Sequence, residues 1–221
     1  MITECYRKDY VGEFVITGAS WSGGKKRVQR EWVANPIENH HISGRAACIG
    51  TTIDRELFDY RILQNHRGGL LGTKKLQTYG TGEIAQEMRL DFAVEKDEDV
   101  LYQLINTGYY KQNVIYTSPK FCFKHPGVFY NVPYNPVVLD VCLLPYLAAF
   151  DGHQEIFLIG YHDTANIGQS SWSAQIKKIM DAYSSVKFYH IGQKSTMPES
   201  WNDNANLANM SYREFISYAD I

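Results

Sequence analysis

The sequence predicts an α/β chain built on a largely parallel sheet, and three observations carry that prediction. The run Ile156-Phe157-Leu158-Ile159 is apolar without alternation, as a strand covered on both faces requires. The stretch before it, Val137 to Phe150, is apolar almost throughout, so a helix there has to be covered on most sides. Strand-like and helix-like segments alternate along most of the chain, which favours crossover connections and layers of helices over the sheet. The expected architecture is a single three-layer, Rossmann-like domain over residues 1–221, a mostly parallel sheet with helices on both faces.

Phe14-Val15-Ile16-Thr17 reads as a first strand. It opens into the loop Gly18-Ala19-Ser20-Trp21-Ser22-Gly23-Gly24, and Gly24 to Val33 is compatible with a basic helix. Ala46 to Ile49 forms a second strand, and Asp54 suits the cap of a helix carrying Leu57, Phe58 and Ile62 on one face. The glycine-dotted stretch Gly68 to Gly82 has no helical period, so it suits either a hairpin or an irregular substrate-facing loop, and an irregular, substrate-facing insertion is expected within residues 66–89. Leu90 to Val94 is a strand, the next helix places Val100, Leu101, Leu104 and Ile105 together, and Val114 to Tyr116 is another strand. Asn135 can cap the buried helix, Pro136 suits its first position, and Asp151-Gly152 ends it. A helix from about Ser171 aligns Ile176, Ile179, Met180 and Tyr183, and Val186 to Ile191 is the last expected strand. Ser211 and Glu214 form a capping box, with Met210 and Phe215 as its hydrophobic staple.

At 221 residues, with 44% hydrophobic and 21% charged, the chain is long enough for a sizeable core that needs no staples. Cys5, Cys48, Cys122 and Cys142 show no CxxC spacing, and Cys48 and Cys142 sit in apolar runs, which suits reduced thiols in a cytoplasmic protein. No cationic leader precedes an apolar segment, and the longest apolar run is broken by Asp140 and Pro145, so no membrane association is expected. The net charge of −2 hides an asymmetry: residues 1–80 hold twelve Lys/Arg against eight Asp/Glu, while 81–110 hold two against seven. The basic excess gathers in Gly23 to Arg30 and in His66 to Lys75, patches that suit phosphates of a nucleotide or a nucleic acid, or a solvated face.

In open α/β sheets, ligands bind at the carboxyl ends of the strands, which singles out Gly160-Tyr161-His162-Asp163. Imidazole titrates near neutral pH, so His162 is the expected general base, with Asp163 as the fallback and His190, on the last strand, as a second candidate. The loop Gly18 to Gly24 is a candidate phosphate cradle, although five residues separate its outer glycines and Lys26 stands where a Walker loop has a hydroxyl. Gly18, Ser20, Ser22 and Lys25 are its expected ligand contacts. Asn131, Tyr134 and Asn135 crowd the start of the buried helix as a possible nucleotide clamp. Asp97-Glu98-Asp99 looks like a metal-holding carboxylate motif, but directly before Val100-Leu101 it reads better as an acid-enriched helix start. His40-His41 has no Cys or carboxylate at ligand spacing, no other metal motif occurs, and neither metal nor cofactor is expected.

The run AAFDGHQEIFLIGYHD resembles the carboxyl-terminal half of Rossmann-like nucleotide-sugar transferases related to bacterial lipooligosaccharide sialyltransferases. FVITGAS and VIYTSPKF sit where that group has its first nucleotide-binding loop and a strand before the site, and Asn135-Pro136 replaces its usual Ser-Gly. The closing SYREFISYADI is similar to the tail of small phage-encoded proteins, some of which glycosylate modified cytosines. The resemblance implies a glycosyltransferase that uses a nucleotide sugar without a metal. Its acceptor would be a glycan or a hydroxymethylated base in DNA, with Lys25, Lys26, Arg27 and Arg30 on the DNA backbone, and its location the cytoplasm of a host cell if phage-encoded. A non-catalytic nucleotide or nucleic-acid binding module and an off-consensus phosphotransferase are the alternatives.

Overall fold

The computed structural model describes residues 2–35, 43–51, 58–66, 76–162 and 171–221. It begins with an antiparallel ribbon, β1 (Gly12–Ser22) and β2 (Lys25–Ala34). Then follow β3 (Arg45–Ile49), β4 (Gln77–Thr81), α1 (Gly82–Glu87), β5 (Phe92–Val94), α2 (Glu98–Asn106), β6 (Val114–Thr117), α3 (Pro119–Lys124) and β7 (Tyr130–Asn131). The rest comprises α4 (Asp140–Asp151), β8 (Glu155–Ile159), α5 (Ser171–Ala182), β9 (Lys187–Ile191), β10 (Leu207–Met210) and α6 (Tyr212–Ala219).

Eight strands form one sheet in the order β10-β9-β8-β3-β4-β5-β6-β7, every pair parallel. From β3 the chain builds outward to β7, then α4 carries it back so that β8 pairs with the other side of β3. The strand order reverses there, between β3 and β8. The expected three-layer, Rossmann-like α/β architecture is what the chain adopts.

The unalternating strands explain themselves in the packing. Ala46, Cys48, Ile156 and Leu158 face a core made with α4 and α5, while Ala47, Ile49, Phe157 and Ile159 face a second core with α1, α2 and α6. Both faces are dry, so both parities of each strand are apolar. At roughly 1.5–3 kcal/mol for each large apolar side chain buried, these two layers dominate the stability of the fold.

Helix α4 is buried on nearly all sides and contains Pro145, which lacks the N–H that would bond the Val141 carbonyl. Tyr161, just past β8, replaces that donor: its hydroxyl bonds Val141 O at 2.8 Å. The orphan carbonyl of the helix is thereby tied to the end of the central strand.

Several expected elements differ. The segment expected as a basic helix from Gly24 is instead strand β2 from Lys25, because Gly23 and Gly24, with φ of 57° and 75°, make a two-residue hairpin turn that only residues tolerant of positive φ allow. Of the expected insertion at 66–89, Gln77–Thr81 is a central strand and Gly82–Glu87 a helix, while 67–75 lies outside the described residues. The helix expected from Asp54 falls partly on 52–57, also outside them, and Tyr60–His66 is 3-10 helix. Helix α4 starts at Asp140, not at Pro136, since Tyr134 and Asn135 adopt φ of 56° and 33° and turn the chain first. Its first turn is instead held by Gln175 Oε1 on Leu139 N at 2.8 Å and by Lys96 Nζ on Asp140 at 2.7 Å. The capping box at Ser211 is present, and Asp97 caps α2, accepting from the N–H groups of Asp99 and Val100.

Candidate active site

At the switch point the ends of β3 and β8 close on each other. Gly50 N–H bonds Ile159 O at 2.7 Å, and a Cβ on Gly50 would stand 2.5 Å from Gly160 O, so any side chain there would force the strand ends apart. The chain then presents Tyr161 inward and His162 toward β9. Gly192, the residue after β9, receives the imidazole: its φ is 150°, and a Cβ would come within 2.4 Å of His162 Cε1.

Among the described residues, three elements meet that ring, and a fourth stands behind His190. His162 Nδ1 lies 3.2 Å from His190 Nε2 on β9 and 3.0 Å from Thr196 Oγ1 in the 3-10 turn Lys194–Thr196. His162 Nε2 lies 3.0 Å from the Tyr212 hydroxyl at the first position of α6. His190 Nδ1 meets Asn209 Oδ1 of β10 at 3.1 Å. The capping box fixes where α6 starts, and Phe58 stacks on the Tyr212 ring at 5.0 Å, so the phenol is held on two sides.

The donor and acceptor roles of both imidazoles depend on their tautomers, and one arrangement that the distances allow runs as a relay from His162 to Asn209. Asn209 donates through Nδ2 to Gly192 O at 3.1 Å, leaving Oδ1 to accept from His190 Nδ1–H. His190 Nε2 then accepts from His162 Nδ1–H. Thr196 donates to Gln193 O at 2.8 Å and so also accepts from His162 Nδ1–H. In that arrangement the basic lone pair of His162 is on Nε2, on the side of the Tyr212 hydroxyl. Burial lowers the pKa of His190 to about 4, the hydrogen bonds to Asn209 and to the Tyr161 backbone opposing and the neighbouring His162 assisting, so His190 is neutral at physiological pH. A neutral acceptor behind Nδ1 is what aims Nε2 outward.

The structure therefore joins His162 to His190, two candidates that the sequence presented separately. Asp163 lies outside the described residues, as do His40 and His41. The other candidates stand elsewhere. Gly18, Ser20, Ser22, Lys25, Lys26, Arg27 and Arg30 lie in the β1–β2 ribbon, so the expected phosphate loop is a hairpin. Asn131 ends β7 at the far edge of the sheet, its Nδ2 on Glu13 Oε1 at 3.0 Å, and the same oxygen accepts from Tyr134 N–H at 2.7 Å. Five strand spacings separate β7 from β8, about 24 Å at 4.8 Å each. Tyr134 and Asn135 line a groove of about 690 Å³ with Tyr146, Gln175 and Lys178. Sequence reasoning missed Thr196, Asn209, Tyr212 and Gly192, which become visible only once the parallel register places β9 and β10 beside β8.

A larger groove of about 950 Å³ opens at the amino ends of β3, β8 and β9, beside Arg45, His153 and Lys187. It lies at the end of the sheet opposite to the one where α/β proteins bind ligands. Below it runs a buried ionic network. Arg7 pairs with Asp151, donates to the Tyr116 hydroxyl at 2.5 Å and to Asn35 Oδ1 at 3.1 Å, and Tyr79 donates to Asp151 Oδ2 at 2.7 Å. His153 Nδ1 meets Ser43 O at 2.7 Å. This network ties the segment before β1 to the sheet.

Comparison with family models, with curated proteins and with solved structures returned no match. Among the described residues no group of three or more His, Cys, Asp or Glu could hold a metal ion, and no helix is long and apolar enough to cross a membrane.

Proposed function

We propose that the protein is a glycosyltransferase that moves a sugar from a nucleotide-activated donor to an acceptor hydroxyl, with His162 as general base. The observation that carries this reading is the placement of an oriented imidazole at the carboxyl end of β8, beside the point where the strand order reverses. The acceptor hydroxyl displaces the Tyr212 hydroxyl from Nε2 and gives its proton to His162. Its oxygen attacks the anomeric carbon while the bond from that carbon to the donor phosphate breaks, the phosphate leaving with the electron pair and the configuration inverting. The imidazolium that forms is stabilised through Nδ1–H by His190 and Thr196, and the Tyr212 hydroxyl stands beside the reacting proton. The sequence resemblance supports the substrate class, and the hydrogen bonds that orient His162 support its role as base. Asp163 remains the alternative base, and the acceptor is a glycan or a hydroxymethylated base in DNA.

The test is a panel of nucleotide sugars, each scored for the rise in melting temperature. A ligand that binds only the native state at a hundred times its Kd adds about 2.7 kcal/mol. A rise with one nucleotide sugar but not with its free nucleotide plus free sugar supports the reading. A rise with ATP and magnesium followed by phosphate release would replace it with the phosphotransferase reading.

A further inference from the structure

The ribbon β1–β2 projects from the β7 edge, and its two faces differ in chemistry. Directly opposed residues share a face, so Phe14 with Trp32, Ile16 with Arg30, Ala19 with Val28 and Trp21 with Lys26 all lie on one side, the register skipping Thr17. The other side carries Glu13, Val15, Glu31 and Val33 near its root and Gly18, Ser20, Ser22, Lys25, Arg27 and Gln29 toward its tip. That second face is the one turned to the body: Val15 is buried, and Glu13 accepts from Asn131 and Tyr134. The first face looks outward with five large apolar side chains, exposed from 39% at Val28 to 74% at Trp21. A soluble surface does not ordinarily line up so many, and a two-stranded ribbon gains little stability by itself.

The charges identify the occupant. Lys26 and Arg30 interrupt the apolar strip, no carboxylate shares their face, and neither forms an ion pair among the described residues. Two copies of this chain packed face to face would bury four cations against one another. A bilayer entered tip first would take in Lys25, Lys26 and Arg27 together with Trp21, at a cost of several kcal/mol for each buried charge. A partner that is anionic along its length and offers flat faces fits both the rings and the cations. We propose that the ribbon is a docking arm for single-stranded nucleic acid, bases stacking on Trp21 and on the Phe14–Trp32 pair while phosphates meet Lys26 and Arg30. The rings of Phe14 and Trp32 already stand 5.0 Å apart, edge to face, so each braces the other. The inference is independent of the transfer reaction, because binding needs neither donor nor His162.

The experiment measures binding of a labelled oligothymidine to the full chain, without donor, by fluorescence anisotropy over a salt series. Phosphatidylserine vesicles and duplex DNA are run in parallel, with sedimentation to detect a dimer. Single-strand binding is expected, with Trp21→Ala and Trp32→Ala each weakening it between about fivefold and a hundredfold. Trp21→Phe, which keeps a ring, should stay within a few-fold of wild type. The pair Lys26→Ala/Arg30→Ala should reduce the slope of log affinity against log salt by about 1.4, at 0.7 for each phosphate contact. The pair Lys25→Ala/Arg27→Ala, on the other face, should change it by less than half as much. Trp21 is exposed enough that its truncation leaves the fold intact, which circular dichroism checks. Absence of binding at low salt, tighter binding to vesicles or to duplex, a dimer lost in Trp21→Ala, or equal slope changes for the two cation pairs would each overturn the proposal.

Discussion

Tyr161→Phe removes one oxygen and, through it, the hydrogen bond that replaces the missing N–H of Pro145. Tyr161 is 1% exposed and Val141, in the first turn of the helix, is half-buried, so water has limited access to repair the loss. Leaving such an acceptor unsatisfied costs about 1–3 kcal/mol. The cost should depend on the proline. In Pro145→Ala the backbone N–H returns to the Val141 carbonyl in the ordinary helical pattern, and Tyr161→Phe made on that background should cost under about 1 kcal/mol, the value of a hydrogen bond whose acceptor keeps another partner. The assay is urea unfolding of wild type, both single variants and the double variant, read as a double-mutant cycle. The expected coupling is about 1–2 kcal/mol in favour of the double variant. Additive costs would refute the account that Tyr161 is recruited to the carbonyl freed by Pro145.

Other outcomes follow from the same geometry. Arg7→Ala leaves Asp151 buried without its cation and should cost about 3–5 kcal/mol in chemical unfolding; a loss below about 1 kcal/mol would mean that water reaches the network. His190 has a native pKa of about 4 against an unfolded value near 6.5, so between those pH values the unfolded chain binds the extra proton and stability falls as pH drops, by about 3 kcal/mol in all. His190→Gln should flatten that acid limb, and an unchanged pH profile would place the sensitivity elsewhere. Gly192→Ala drives a Cβ into the imidazole and should reduce turnover nearly as much as loss of His162, with donor affinity retained; full activity would show that the ring position is not critical. Gly18→Val should leave donor affinity unchanged, since Gly18 lies in the ribbon, and a weakened donor titration would return that segment to the donor site.

The central strands and helices were legible because their signal is burial on both sides, which needs no knowledge of partners: Ile156 to Ile159 is too short for a helix and is bounded by Gly152 and Gly160, which favours a covered strand. Strand β4 was not legible. Its Gln77 and Thr78 are buried polar residues that the middle of a sheet accommodates through partners elsewhere: Gln77 Oε1 accepts from Ser43 N–H at 3.3 Å, and Asp91 accepts from the Thr78 N–H at 2.8 Å and its hydroxyl at 3.1 Å. Those partners are remote in sequence. The ribbon was misread for a different reason. Small residues before Lys25-Lys26 suit a phosphate loop as well as a hairpin, and the alternation Lys26-Val28-Arg30-Trp32 mixes cations with apolar groups on one face, which hides its period of two. Gly23-Gly24 between two strand-compatible runs was the signal that distinguishes them. At the site, strand-end position identified His162. Its connection to His190 depends on the parallel pairing of Leu158 with His190, which brings residues 28 apart in sequence together.

The central claim, that His162 takes the acceptor proton in sugar transfer, is tested most directly by single-turnover rates of wild type and His162→Ala with the nucleotide sugar that most raises the melting temperature. The account predicts a rate lowered by about a hundredfold or more, with donor affinity nearly unchanged and the fold intact. An unaltered transfer rate in the folded variant would contradict it.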